Sequence, residues 1–233
     1  MSFLKYLSWD SLCFGYKVGE IIASVADLEE ALEQAHQENY KLLYLRASPE
    51  DQPFNTLAKE FQGILVDEKI TFSQAIPKHI PSSQASLYQA DTLNPQLLAL
   101  ALQSGEYSRF KIDQNFRNKE YEKLYTAWLE NSVSREIAQE VIIYEKQKEI
   151  IALLTLAIKS HKAQVGLLSV DKKHQKQGIG KELLWKAFYL AKKNKATHLE
   201  IVMQKANTNA CLFYEKVGFE IEKTENIYHF WLK

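Results

Sequence analysis

The chain has 233 residues, of which 46% are hydrophobic and 25% are charged, and this ordinary globular composition suffices for one large domain or two small ones. Lysine and arginine together number 29, as do aspartate and glutamate, so the formal net charge is +0. That balance gives no electrostatic reason to expect nucleic acid or an anionic membrane as a partner. The longest apolar run, residues 150–158, falls well short of the roughly 18 residues that a membrane-spanning helix needs.

The N-terminal sequence and the cysteines bear on the compartment and on metal binding. MSFLKYLSWD has no continuous apolar segment and no small-residue cleavage site, so we expect no signal peptide and a cytoplasmic protein. Cys13 and Cys211 are too few for a disulfide framework or for a zinc site built from cysteines. We therefore expect no bound metal.

Residues 75–84, with two prolines and two serines, are the densest loop signature, and we interpret them as a linker between domains at 1–84 and 85–233. Before the linker, strand and helix patterns alternate, with Ser24 and Ser48 as the predicted N-caps of the helices. The predicted strands are 17–24, 41–46 and 64–74, and the predicted helices begin near 28 and at Pro49. This order predicts a small α/β domain.

The second domain has a different order of elements. A short strand at 86–90 precedes a helix with Asn94 as its cap, Pro95 at its first position and Gly105 at its end. The remaining predicted elements are a helix over 121–133, antiparallel strands near 140–146, 149–158 and 163–171, a helix over 178–194, a strand over 197–203, a helix over 207–217 and a final strand or hairpin. Together they predict an α/β (α+β) fold, with a central mixed sheet flanked by helices.

One strand-turn-helix segment has the features of an anion site. An apolar strand ends at Asp171, and a basic loop with Gly178 and Gly180 leads directly into a helix. The first N–H groups of a helix point outward, the helix dipole is positive there, and glycine lets a phosphate approach the backbone. A flexible turn with a solvated row of lysines explains the same local pattern. The spacing fits neither a P-loop nor a dinucleotide fingerprint.

Two motifs in the second predicted domain carry a family resemblance. Gln175-Lys-Gln-Gly-Ile-Gly180 has the pattern Q/R-x-x-G-x-G/A. Asn207 stands at the start of the last predicted helix, Tyr214 follows seven residues later, and Gly218-Phe219 comes next. Both motifs, in this order and context, resemble the GNAT superfamily of N-acetyltransferases, over roughly the last 150 residues.

The resemblance implies acetyl-CoA as the co-substrate. The loop and the helix after it would hold the pyrophosphate, and the strand over 165–170 would splay from its neighbour and bind the pantetheine arm. The residues implied to bind acetyl-CoA are Leu168, Ser169, Val170, Gln175, Lys176, Gln177, Gly178, Ile179, Gly180, Lys181 and Asn207.

Shorter segments are similar to one group within the superfamily, the bacterial dTDP-4-amino-4,6-dideoxygalactose (dTDP-fucosamine) N-acetyltransferases. They are Leu7-Ser-Trp-Asp-Ser-Leu-Cys-Phe-Gly15, Ser108-Arg109-Phe110, Tyr125-x-x-Trp-Leu-Glu-Asn131 and Tyr228-His-Phe-Trp-Leu232. The resemblance implies a nucleotide-linked amino sugar as acceptor and a role in cell-surface polysaccharide biosynthesis. We expect this small-molecule amine as the partner and a homodimer as the assembly.

The resemblance and the chemistry together assign Tyr214 as the catalytic acid. A phenol with a pKa near 10 stays protonated at neutral pH and can protonate the departing thiolate. Packing in the core is the alternative explanation, because Tyr214 shares an apolar helical stripe with Phe213 and Val217. Asn207 has a similar alternative, as a helix N-cap. No general base is visible, since the strands over 150–158 and 165–170 carry no aspartate, glutamate or histidine.

Four residues are candidates for acceptor binding. Arg109 could hold a nucleotide phosphate and Phe110 could stack on a base or a sugar, whereas a helix-end loop with a surface arginine is the plain alternative. Trp9 and Phe14 could line the same cleft, or they could form a core cluster.

Two other functions stay open: acetylation of another amine (a peptide N-terminus, a polyamine or an amino acid), and non-catalytic binding of acyl-CoA.

Overall fold

The structure, a computed structural model, describes residues 3–232. Within that range ten strands form one mixed sheet, in the order β1-β2-β3-β10-β4-β9-β8-β7-β6-β5. Only the β2–β3 and β8–β9 pairs of this described sheet are parallel. The strands are β1 (Leu4–Tyr6), β2 (Val18–Ile21), β3 (Leu42–Ala47), β4 (Ile64–Ala75), β5 (Ser86–Leu87), β6 (Glu140–Lys146), β7 (Glu149–Lys159), β8 (Lys162–Val170), β9 (His198–Gln204) and β10 (Glu220–Trp231).

Helices cover both faces of the sheet. They are α1 (Ser8–Phe14), α2 (Leu28–Gln37), α3 (Gln52–Glu60), α4 (Pro95–Ser104), α5 (Arg109–Ile112), α6 (Glu120–Val133), α7 (Ile179–Lys193) and α8 (Thr208–Val217), with 3-10 turns at Val25–Asp27 and Lys172–His174. The expectation of a mixed sheet flanked by helices is confirmed. Among the described residues, no helix is long and apolar enough to cross a membrane.

Three predicted N-caps have different outcomes. Asn94 caps α4 as predicted, because its side chain accepts a hydrogen bond from Gln96 N at 2.7 Å and Pro95 occupies the first position. The cap predicted at Ser48 is wrong, because Asp51 caps α3 through a 3.1 Å bond from Phe54 N. Ser24 caps no α-helix either, since a 3-10 turn separates it from α2.

The core consists of three clusters of buried side chains. Consecutive residues of β7 point to opposite faces, so that Leu154 lies in the cluster under α7 and α8 while Leu153 lies in the cluster under α1, α4, α5 and α6. The third cluster lies under α2 and α3 and includes Leu43 and Leu45 of β3.

Strand β4 connects the two halves of the sequence. It pairs with β9 on one side, for example Lys69 with Gln204, and with β10 on the other, for example Lys69 with Glu225. Residues before 84 and after 85 thus share one sheet. The division of the chain into domains at 1–84 and 85–233 stays a prediction.

Candidate active site

A wedge opens between the parallel strands β8 and β9. Their ladder pairs Lys162 with His198 at one end and Val165 with Ile201 at the other. Beyond that point the two strands no longer pair, although β8 continues to Val170 and β9 to Gln204. The splay expected from the sequence is confirmed. Backbone groups on the inner edges of both strands are thereby left for another partner, since an extended chain needs one for each N–H and C=O.

The loop after β8 leads into α7, whose first turn lies at this opening. Gly178 has φ +86° and precedes the helix, a conformation that glycine adopts at little cost. In the part of the chain that the structure describes, the N–H groups of Gly178, Ile179 and Gly180 have no acceptor. Gln175, Lys176, Gln177 and Lys181 are exposed around them. Outward N–H groups, the helix dipole and the nearby lysines together suit a phosphate.

Gln103 on α4 fixes the end of β8. Its side-chain amide lies 2.8 Å from both Ser169 Oγ and the carbonyl oxygen of Val170, and Gln175 donates to the same carbonyl at 3.1 Å. Ser169 is buried and Leu168 and Val170 are half-buried. The side chain of Ser169 is therefore engaged within the protein. Sequence reasoning missed Gln103, because a glutamine on a helix carries no positional signal of its own.

Two residues of the loop motif have structural duties. Ile179 is buried in the cluster under α7 and α8. A Cβ on Gly180 would lie 2.9 Å from the ring of Phe213, so glycine lets α7 pack on α8 without a shift of that ring. Asn207 caps α8, with Oδ1 accepting from Ala210 N at 3.3 Å. Among the described residues its Nδ2 has no hydrogen-bond partner, so capping leaves that amide group free to bind a ligand.

Tyr214 lies on α8 with only 4% of its surface exposed. Its ring packs against Phe72, Phe213 and Phe219 at centroid distances of 5.8, 5.2 and 5.7 Å. The phenol has no hydrogen bond to any residue in 3–232, and burial raises its pKa. The phenol is thus protonated at neutral pH. The ring is a core residue, and the hydroxyl is not used by the fold.

Arg109 begins α5, on the sheet face opposite to α7. Its guanidinium lies over the rings of Phe110 and Tyr44, at 4.3 and 4.7 Å from their centroids. Its Nε is buried without a hydrogen-bond partner, and within residues 3–232 no carboxylate lies within 4.0 Å. A half-buried cation with an unused donor is suited to bind an anion.

The aromatic candidates are more deeply placed. Phe110 and Phe14 are buried and pack together at 5.7 Å, and Trp9 is half-buried at the edge of the same cluster. The structure thus brings Arg109, Phe110 and Phe14 together, as the sequence suggested. Contact of Phe110, Phe14 and Trp9 with an acceptor stays a prediction.

Two charged residues of β4, which sequence reasoning missed, lie on the same face as Arg109. Asp67 and Lys69 alternate with Ile70 and Phe72, which are buried on the opposite face. Asp67 is 6% exposed, and its Oδ2 is buried without a partner. Burial raises the pKa of Asp67, although Arg109 and Lys69 act against that rise.

Lys69 shows the complementary effect. Burial lowers its pKa, and the charges of Arg109 and Arg46 lower it further. Charged groups with shifted pKa values that form no ion pair cluster at functional sites, so Asp67 and Lys69 are candidates for ligand binding.

The comparisons with known proteins agree with this geometry. The family model described as "Acetyltransferase (GNAT) family" matches residues 102–219, which is half of the chain. The chain belongs to the GNAT acetyltransferase family. Membership indicates an acetyl-CoA-dependent N-acetyltransferase. A comparison with curated proteins found no match.

Solved structures share the fold. A GCN5-related N-acetyltransferase from Sphaerobacter thermophilus aligns over 98% of this chain and 76% of its own, with TM-score 0.63 and 10% identity. A conserved protein of unknown function from Staphylococcus epidermidis aligns over 98% and 91%, with TM-score 0.67 and 10% identity. The glucosamine N-acetyltransferase region of a fungal multi-domain GH3 β-N-acetylglucosaminidase aligns over 97% and 31%, with TM-score 0.56 and 14% identity. At these identities the likeness shows the fold alone.

The GNAT match covers only part of the site. The wedge, the loop before α7, Tyr214 and Arg109 lie within residues 102–219. Asp67 and Lys69 lie outside that range, on the strand next to β9. The N-terminal half of this GNAT chain therefore brings its own charged groups to the face that carries Arg109.

Proposed function

We propose that this GNAT enzyme acetylates the 4-amino group of a dTDP-linked 4-amino-6-deoxyhexose. The observation that carries the proposal is the guanidinium of Arg109, which lies over the rings of Tyr44 and Phe110 with its Nε lacking a hydrogen-bond partner, on the face where Asp67 lies. A diphosphate suits the unused donors of an arginine, and a carboxylate suits an amine. The fungal glucosamine N-acetyltransferase region has the same fold, so an amino-sugar acceptor is compatible with this architecture.

The α7 N-terminus and the wedge would hold acetyl-CoA. The pyrophosphate would accept hydrogen bonds from the N–H groups of Gly178, Ile179 and Gly180, and the exposed lysines 176 and 181 would add charge. The pantetheine arm would pair with the inner edge of β8 over Leu168–Val170, and Asn207 Nδ2 would reach one of its amides. No ion is needed for this step, because the amine attacks the thioester carbonyl directly.

Proton transfer would use two residues on different elements. Tyr214 would give its proton to the departing thiolate, which its buried phenol can do because it is neutral at pH 7. Asp67 would take the proton of the attacking amine. Burial strengthens Asp67 as a base, because it raises the pKa of the carboxyl. A sugar amine is less basic than a lysine, so this base needs to be only moderately strong.

A thiol-release assay tests the acceptor. Purified enzyme and acetyl-CoA are mixed with dTDP-4-amino-6-deoxyhexoses, with the same amino sugars lacking the nucleotide, with peptides and with polyamines. We expect release of CoA only with nucleotide-linked amino sugars, and none with a dTDP-sugar that has a hydroxyl in place of the amine. Release with peptides or polyamines alone would overturn the acceptor and leave the acetyltransferase.

The proposed acceptor sets the remaining expectations. Nucleotide sugars and acetyl-CoA are both cytoplasmic metabolites, so we place the enzyme in the cytoplasm, and the acetylated sugar would be a donor for cell-surface polysaccharide. We also propose a homodimer without a bound metal. Size-exclusion chromatography with light scattering and metal analysis of the purified protein test these two points.

A further inference from the structure

Lys69 lies one strand away from the wedge. It is paired with Gln204, the last residue of β9, and Gln204 lies in the part of β9 that has left β8. Adjacent strands lie about 4.8 Å apart, and lysine carries its amine on a flexible four-carbon stem. Because Lys69 alternates with Ile70, its side chain lies on the face of Arg109 and not on the face under α7.

The amine of Lys69 has no ion-pair partner. Within residues 3–232 no carboxylate lies within 4.0 Å of its Nζ, and no hydrogen bond of the side chain is present. Two carboxylates lie nearby without forming an ion pair with Lys69. Glu225 pairs with Lys223 at 2.7 Å, and Asp67 Oδ2 is buried without a hydrogen-bond partner. Lys69 is thus a half-buried primary amine on the sheet face that carries Arg109, and it lacks the ion-pair partner that usually accompanies a lysine removed from solvent.

The charge state of Lys69 suits a nucleophile. Burial lowers its pKa and so do the charges of Arg109 and Arg46, while Asp67 and Glu225 raise it. The net direction is downward. A larger fraction of this amine is therefore neutral at pH 7 than of an exposed lysine, and only the neutral amine attacks a carbonyl.

We propose that Lys69 is acetylated on Nζ by the acetyl-CoA bound in the wedge whenever no acceptor amine occupies the cleft. The Nζ lone pair forms a bond to the thioester carbonyl carbon, and the carbon–sulfur bond breaks. The ammonium proton passes to Asp67, and the thiolate takes a proton from Tyr214, so the products are Nε-acetyl-Lys69 and free CoA. The proposal rests on the placement of acetyl-CoA in the wedge.

Acetylation would also change the surroundings of Asp67 and Arg109, where the acceptor is proposed to bind. The amide is neutral and bulkier than the amine, so Asp67 and Arg109 lose a neighbouring charge and the acceptor loses space. Self-acetylation would therefore lower the activity of enzyme that meets acetyl-CoA without its acceptor, and bound acceptor would protect Lys69.

The test uses the full chain and [13C2]acetyl-CoA without acceptor, followed by peptide mass spectrometry. We expect the label at Lys69 within minutes, at least ten times faster than at the exposed Lys205. Saturating acceptor should suppress it. The Lys69→Arg variant should lose this fast site, whereas the Lys205→Arg variant should keep it, and thermal melting confirms that both fold.

Two controls separate this inference from the proposed function. Calorimetry measures acetyl-CoA binding in the same preparation. Acetic anhydride acetylates lysines without CoA, and it therefore measures the reactivity of each lysine apart from the bound co-substrate. Bound acetyl-CoA with an unlabelled Lys69 overturns the self-acetylation alone. Failure to bind acetyl-CoA overturns both. Equal labelling of Lys69 in Gly178→Asp or in heat-denatured protein also overturns the proposal, since the reaction would then not depend on the bound co-substrate.

Discussion

His229 Nδ1 on β10 lies 2.6 Å from Asp113 Oδ2, at the end of α5. Trp231 Nε1 donates to the same oxygen at 2.9 Å, and Asn115 N and Nδ2 donate to Asp113 Oδ1. This network ties the short helix that carries Arg109 to the last strand of the sheet. Helix α5 has only four residues, so its own backbone bonds could not fix the direction of Arg109.

The His229–Asp113 pair predicts a loss of stability in acid. Burial lowers the pKa of His229 to about 4 from 6.5, and the hydrogen bonds to Asp113 lower the pKa of that carboxyl to about 2 despite its burial. Between pH 6.5 and 4 the unfolded chain binds the His229 proton and the folded chain does not. The free energy of unfolding should therefore fall as pH drops, by at most about 3 kcal/mol.

Urea unfolding at several pH values measures this effect, and His229→Gln should flatten the slope in that window. Asp67 contributes with the opposite sign. Its folded pKa is raised, so its contribution to stability is lost as pH rises from the unfolded value through the folded value. An unchanged slope in His229→Gln, measured in an Asp67→Asn background, would contradict the assignment to His229.

Gly178→Asp should abolish binding of acetyl-CoA. A carboxylate would stand against the pyrophosphate at the N-terminus of α7, where the protein itself leaves open space, since nothing lies within 4 Å of a Cβ at Gly178. Gly178→Asn is the matched control: it has the same shape and the same φ strain of about 1 kcal/mol, without the charge. Calorimetry should show measurable binding for the Asn variant and none for Asp. Equal affinities would contradict the pyrophosphate assignment.

Tyr214→Phe should lower turnover by about 10²-fold or more, the usual scale for general acid catalysis. The free energy of unfolding should change by less than about 0.5 kcal/mol, because the hydroxyl makes no hydrogen bond within the described chain and the ring packing is kept. Turnover is measured under chemistry-limited conditions, with the KM for acetyl-CoA as a second readout. Wild-type turnover would mean that Tyr214 acts only in core packing.

Arg109→Ala should raise the KM for the nucleotide sugar by about 10- to 100-fold, since a hydrogen bond to a charged group contributes about 1.5–3 kcal/mol. Affinity for acetyl-CoA should stay near the wild-type value, because Arg109 lies on the sheet face opposite to α7. Arg117→Ala removes the same charge from an exposed position and serves as the control. A matching rise of KM in both variants would indicate a general electrostatic effect instead of a contact.

Asp67→Asn should lower kcat by about 10²- to 10⁴-fold if Asp67 is the base. The acidic limb of the kcat/KM profile, which we expect above the ordinary aspartate range because burial raises the pKa of Asp67, should vanish in the variant. Urea unfolding at pH 7 checks that the variant keeps its fold, because Asp67 interacts with Arg109, Lys69 and Gln204. Glu68→Gln alters the exposed neighbour, which pairs with Lys205 at 2.8 Å, and should leave kcat unchanged.

The second half of the fold was well predicted because its signals are local. Caps such as Asn94, the close succession of β6, β7 and β8, and the glycine loop before α7 each depend on a few consecutive residues. The short elements β1, α1 and α5 were missed, since three to seven residues show no clear period. The final segment, which could have been a hairpin, is the single strand β10.

Asp67 and Lys69 were missed for a different reason. Asp67-Glu68-Lys69 resembles a solvated run of charges at the start of a strand. Only the pairing of β4 between β9 and β10 buries Asp67 and half-buries Lys69, and that pairing joins residues more than 120 positions apart. One signal in the sequence was available. Asp67 and Lys69 occupy alternate positions of a strand, and Ile70 and Phe72 occupy its other face.

The position of β4 has a consequence for how the protein is made. On the ribosome β4 emerges early, but its two neighbours in the sheet, β9 and β10, are the last strands to be synthesised. Until then both edges of a twelve-residue strand lack their partners, which is the situation in which nascent chains associate wrongly or recruit chaperones. Synthesis of β9 and β10 thus becomes the event that commits the whole sheet, and we expect nonsense truncations before residue 220 to be degraded rather than to persist as half-enzymes.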